Sequence, residues 1–120
     1  MHIAINCRSF LNKNCTGIGR YTVELIKALS TIDEENEYSL YAPKGFFNLR
    51  KRLPHLAAKN FSFKIDPFHR GLEKTVGSVD LYHSPSPDHW NGISPKVVVT
   101  VHDLIFKAYP EGHTADTIRI

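Results

Sequence analysis

Lys96-Val97-Val98-Val99-Thr100-Val101 is the stretch that decides the fold. Nearly all of it is β-branched, which favours extended backbone. No polar residue alternates with the valines. The pattern therefore predicts a strand over 96–101 covered on both faces, as the strands of a parallel sheet are. Immediately upstream, 80–83 reads as another strand, ended by the stiff run Ser84-Pro85-Ser86-Pro87. Before it lie a short helix over 71–76 and a strand over Phe61–Ile65. A short basic helix over 46–53 is stopped by Pro54, and a strand over Glu37–Ala42 is closed by Pro43.

The strongest helix signal is in the first third of the chain. From Gly17 to Ile32, apolar residues fall at Ile18, Tyr21, Leu25, Ile26, Leu29 and Ile32, the three-and-four spacing of one buried face. Thr16 is placed to cap its start, and 33–36 form a turn after it. Residues 2–7 form a first buried strand, and a polar stretch over 8–16 separates that strand from the helix. Strand and helix signals thus alternate throughout, without internal repeat or low-complexity tract. The expected fold is α/β, a doubly wound and mainly parallel Rossmann-like sheet.

With 120 residues, 42% of them hydrophobic and 22% charged, the chain suits one globular domain. Its net charge of +3 is spread along the sequence apart from Arg50-Lys51-Arg52, so no nucleic-acid partner is expected. No apolar run reaches membrane-spanning length, and Met1-His2-Ile3-Ala4-Ile5 reads as a strand and not as a signal peptide. Cys7 and Cys15 are too few for a disulfide framework, which fits a cytoplasmic chain with free thiols. The 46–53 helix mixes apolar and basic residues and offers at most weak peripheral contact with the inner membrane face; a sheet-covering amphipathic helix is its more ordinary reading.

Ligands of open parallel sheets bind beyond the carboxyl ends of the strands, which puts weight on three loops. After the first strand, Thr16-Gly17-Ile18-Gly19-Arg20-Tyr21 opens a helix with glycines, whose backbone amides suit a phosphate or a sugar hydroxyl. The same glycines also serve for a tight helix entry. After the fourth strand stands His83-Ser84-Pro85, and after the fifth His102-Asp103. Imidazoles at strand ends exchange hydrogen bonds with hydroxyls near neutral pH, and a neighbouring aspartate adds an acceptor. The candidate catalytic residues are His102 and Asp103, and the candidate substrate-binding residues are Gly17, Gly19, Arg20, His83 and Ser84.

A nicotinamide dinucleotide is not expected, because Thr22 stands where the fingerprint needs its third glycine and Tyr41-Ala42-Pro43 where it needs an acid. The seven histidines lack metal-ligand spacing, so no metal and no cofactor are expected. His2, His55, His69, His89 and His113 are expected in solvent.

Together these loops resemble the N-terminal domain of group 1, retaining glycosyltransferases of the GT-B fold. The likeness is carried by Ile3-Ala4-Ile5-Asn6-Cys7-Arg8-Ser9 with Thr16-Gly17-Ile18-Gly19-Arg20-Tyr21, by Asp80-Leu81-Tyr82-His83-Ser84-Pro85, by Val99-Thr100-Val101-His102-Asp103-Leu104 and by Tyr109-Pro110-Glu111. The resemblance implies transfer of a sugar from a nucleotide sugar to an acceptor with retention of configuration, without a metal ion. It implies that the Gly17 and Gly19 amides approach the donor phosphates, that His102 bonds the transferred sugar, and that Asp103 and His83 line the acceptor pocket with Arg20. The acceptor would be a sugar, a lipid-linked molecule or another small molecule. Asn6 stands where relatives often carry aspartate, and no acid–base role is assigned to it.

Residues 116–120 read as an opening helix, so 1–120 is expected to be an incomplete acceptor-side domain whose C-terminal donor-binding partner is absent. Such a lobe alone is expected to be inactive. The alternatives are a non-catalytic nucleotide- or sugar-binding module and a scaffold lobe.

Overall fold

A computed structural model describes residues 1–10, 16–42, 56, 58–87 and 95–112. The expected helix over 46–53, the opening helix over 116–120, Cys15, His55, His89 and His113 lie outside the described residues. The elements are β1 (His2–Asn6), α1 (Gly17–Ile32), β2 (Glu37–Ala42), β3 (Phe61–Ile65), α2 (Leu72–Val76), β4 (Leu81–Ser84), β5 (Lys96–Val99) and α3 (Ile105–Ala108). Short 3-10 turns cover Arg8–Phe10 and Pro110–Gly112.

The five strands form one parallel sheet in the order β3-β2-β1-β4-β5. That is the order of a doubly wound, Rossmann-like fold, in which chain direction across the sheet reverses between β1 and β4. Successive side chains of a strand face opposite sides, and here each side has its own core. Ile5, Tyr38 and Leu40 meet Ile26 of α1, with Val23 and Leu29 beside them. Ala4, Tyr41 and Tyr82 meet Leu72 of α2 on the other side, with Val76 and Val97. Helices therefore cover both faces. Removing a fully buried side chain such as Ile5 or Ile26 from water contributes about 2–3 kcal/mol each.

Thr16 caps α1 as its type suggests, accepting the Gly19 amide on Oγ1 at 3.2 Å. α2 lies between Gly71 and Gly77, whose φ values of 93° and 90° suit glycine.

Three expectations need correction. β5 stops at Val99 and is an edge strand with alternating exposure; Val98 is 46% exposed, because α1 lies over the β1–β2 core and does not reach it. The valine run announces a strand but not full burial. On α1, Ile32 is 77% and Tyr21 38% exposed, so the buried stripe runs through Gly19, Thr22 and Ile26, passing beside Tyr21 and ending before Ile32. His2 is not simply solvated: its Nδ1 lies 2.9 Å from the Ser78 carbonyl and its Nε2 2.8 Å from Ser39 Oγ. It ties β1 to β2 and to the segment before β4.

Among the described residues, no helix is long and apolar enough to cross a membrane.

Candidate functional site

The carboxyl ends of β1, β4 and β5 converge on the start of α1. His83, third residue of β4, pairs in register with Ile5 and Val98 and stands half-buried. Its Nε2 lies 3.0 Å from Thr100 Oγ1, just beyond β5. Burial holds the His83 imidazole below its usual range, so the ring is neutral near pH 7. Thr100 in turn donates its amide to the Ser84 carbonyl at 2.9 Å, which keeps the two strand ends together after the ladder stops.

The exposed ring of His102 is fixed by Nε2 on the Pro85 carbonyl at 2.8 Å. Tyr21, in the first turns of α1, meets that imidazole edge-to-face, with centroids 5.0 Å apart and planes at 84°. Its hydroxyl lies 3.4 Å from Thr100 Oγ1. The α1 start and both histidine loops thus form one connected edge at the reversal between β1 and β4, where ligands of such sheets bind. What this edge offers chemically is a helix start for an anion and imidazoles for hydroxyls.

The residues expected at the site differ in what they face. Gly17 is exposed at the first position of α1, and a Cβ built on it would meet nothing within 4 Å. Gly19 is buried and its amide is already held by Thr16, so the amides left open among the described residues are those of Gly17 and Ile18. Arg20 is exposed and its backbone amide continues the helix to the Thr16 carbonyl at 2.9 Å. Ser84 is fully buried and its hydroxyl donates to the Ser86 carbonyl at 2.6 Å, shaping the Pro85 turn instead of facing a ligand. Asp103 is exposed and accepts the Ile105 amide at 3.2 Å, which serves the entry to α3 and not the imidazole of His102. Asn6 likewise accepts the Arg8 amide, at 3.0 Å.

Tyr21 and Thr100 were not singled out by sequence. By spacing Tyr21 belongs to the apolar stripe of the helix, and Thr100 to the valine-rich strand. The readable signal was Thr100 itself, a hydroxyl interrupting a valine run two residues before His102.

Among the described residues, no group of three His, Cys, Asp or Glu side chains is placed to hold a metal ion. Cys7 is a free, fully buried thiol whose pKa burial pushes up, so it is an inert core residue. A separate pocket of about 200 Å³ opens at the amino end of the sheet, lined by His2, Ser39, Lys59, Asn60 and Ser62 among others, at the opposite end from His83 and His102.

No protein-family model, curated protein or solved structure matches the chain.

Proposed function

We propose that the chain is the acceptor-side lobe of a retaining, group 1 glycosyltransferase of the GT-B kind. The observation that carries this is the single edge shared by the Gly17 helix start, His83 and His102 at the β1–β4 reversal. In a sugar transfer of this kind, the leaving nucleoside diphosphate develops negative charge. Preorganised amides at a helix start stabilise it without moving. The Gly17 and Ile18 amides stand at such a helix start, and His102, against Tyr21 of the same helix, has a ring suited to a sugar hydroxyl. A second lobe, in this proposal, holds the nucleotide.

A titration of the isotope-labelled chain with nucleoside diphosphates and their sugar conjugates tests this. The Gly17 and Ile18 amide signals should move with the diphosphate, and the His102 imidazole should move further only when the sugar is attached. Shifts confined to the pocket at the amino end of the sheet, or none at millimolar ligand, would reject the proposal. In the complete transferase, His102→Ala should slow transfer about 100-fold with nucleotide affinity nearly unchanged, since a hydrogen bond strengthened in the transition state acts on rate more than on binding. Full turnover in a folded variant would remove His102 from the mechanism.

Binding without catalysis is the second reading, favoured by Asp103, whose carboxylate serves the Ile105 amide and leaves His102 without an acidic partner among the described residues. It predicts sugar-dependent shifts of His102 together with no transfer from any donor.

A further inference from the structure

The orientation of His102 is set by two neighbours of different chemistry. The Pro85 carbonyl oxygen only accepts, so the 2.8 Å contact places the imidazole proton on Nε2. In the neutral ring Nδ1 is then an acceptor, and among the described residues it has no partner. The second neighbour is the Tyr21 ring, edge-to-face at 5.0 Å, an arrangement aromatic pairs favour. Without that wall an exposed imidazole held by one hydrogen bond is free to turn.

Tyr21 also reaches the other histidine. Its hydroxyl lies 3.4 Å from Thr100 Oγ1, and Thr100 Oγ1 lies 3.0 Å from His83 Nε2. One side chain on the first turns of α1 therefore touches both histidine loops, by its ring on one side and by its hydroxyl on the other.

We propose that Tyr21 is the positioning residue of this edge: its ring holds His102 as the Nε2–H tautomer with Nδ1 offered as a hydrogen-bond acceptor, and its hydroxyl, through Thr100, orders His83. The consequence is selectivity. A neutral acceptor nitrogen takes the proton of a ligand hydroxyl and gives nothing to a phosphate oxygen, which has no proton to donate. His102 therefore reads the hydroxyl-bearing part of a ligand, and the anionic part falls to the start of α1. The ligand assignment rests on the glycosyltransferase reading; the positioning of His102 does not.

Long-range ¹H–¹⁵N spectra of the histidines, recorded on the free chain, report the tautomer directly. Wild type should show His102 as Nε2–H. Tyr21→Phe keeps the ring and should keep that tautomer while shifting the His83 signals. Tyr21→Leu should move His102 toward the mixture of an unrestrained imidazole; with Tyr21 already 38% exposed, the change removes little core. Thr100→Val is the second arm and should disturb His83 alone. An unchanged His102 tautomer in Tyr21→Leu overturns the proposal, as does a His102 change in Thr100→Val equal to that in Tyr21→Leu.

The second measurement is the ratio of affinities for a nucleoside diphosphate sugar and the bare nucleoside diphosphate. Tyr21→Leu should lower it about 5-fold and Tyr21→Phe should restore it. If neither compound binds wild type while the tautomers behave as stated, the transferase reading fails and the positioning role of Tyr21 stands.

Discussion

The two flanks of the sheet use tyrosine in opposite ways. On the β2–β3 flank, Tyr38 and Tyr41 are buried and their hydroxyls donate to carboxylates. Tyr38 gives its proton to Asp33 at 2.7 Å and stacks on Phe61 at 4.3 Å, and Tyr41 gives its own to Asp66 at 3.2 Å. Each carboxylate also gathers backbone amides, Asp33 those of Glu35 and Asn36, Asp66 those of Arg70 and Gly71. On the β4–β5 flank, Tyr21 is partly exposed and its partners are a threonine hydroxyl and an imidazole. The first arrangement closes turns and gives both phenols and four backbone amides a carboxylate partner. The second leaves a histidine nitrogen with no hydrogen-bond partner among the described residues. The first flank spends its tyrosine hydroxyls on carboxylates of the fold, and the second is the one on which the proposed function rests.

The sharpest way to break this comparison is Asp66→Ala. Asp66 is fully buried and accepts the Arg70 amide at 2.9 Å, the Gly71 amide at 2.8 Å and the Tyr41 hydroxyl. Removing it strands two amides and a buried phenol, at a cost of about 3 kcal/mol, enough to lower the melting temperature by about 10 °C or more. His102→Ala, on the other flank, should cost about 0.5 kcal/mol or less. Equal losses in calorimetric melts of the two variants would show that the flanks do not differ as described.

The flanks should also separate by pH. Burial pushes both Tyr38 and Tyr41 up to about 12, with the neighbouring carboxylates adding to it. A raised folded pKa means the unfolded chain ionises first as pH rises, so this stabilisation is full below pH 10.0 and lost between 10.0 and about 12. Asp33 is held low, chiefly by the hydrogen bond from Tyr38. For Asp66 burial pulls upward, but the Arg70 and Gly71 amides and the Tyr41 hydroxyl outweigh it. Their contribution is present above the unfolded value of 3.8 and disappears as pH falls below it. The β4–β5 flank responds nearer neutrality, because His83, depressed by burial, stabilises above 6.5 and loses that contribution as pH falls from there. Thermal midpoints should be flat from about pH 7 to 10, fall on the alkaline side, and show a small acid shoulder. His83→Gln should abolish the shoulder alone; its persistence would mean another group titrates there.

How far the sequence revealed all this follows from the range of each signal. α1 was legible from its start at Gly17 to about its end at Ile32, because its apolar spacing and the Thr16 cap are local. β2 and β3 were legible because short apolar runs are bounded by turn residues. The exposed face of β5 was not, since a valine run states extended backbone but not the place of the strand in the order β3-β2-β1-β4-β5. His2 was misjudged for the same reason: Ser39 and Ser78, which hold it, are far away in the chain. The convergence of His83 and His102 was legible from the rule that strand ends of a parallel sheet share an edge. Tyr21 was hidden because spacing weighs its ring and ignores its hydroxyl. Ser84, next to His83 in β4, faces the other side of the sheet, because neighbouring residues of a strand alternate.

The smallest expected effect concerns Gly17 and asks whether the helix start belongs to folding or to recognition. Gly17 has no positive φ, sits at the first position of α1, and leaves its would-be Cβ in open space. Nothing in the fold requires glycine there. Gly17→Ala should therefore leave stability unchanged or raise it by about 0.5 kcal/mol, through loss of freedom in the unfolded chain. A glycine kept for the approach of a ligand behaves differently in binding. The added methyl would stand where a diphosphate meets the Gly17 and Ile18 amides, and pyrophosphate, titrated while those two amide signals are followed, should bind more weakly than to wild type. A drop in melting temperature would return Gly17 to the stability side of the comparison. Unchanged pyrophosphate binding in an equally stable variant would remove the start of α1 from the recognition edge, leaving that edge to the histidines and Tyr21.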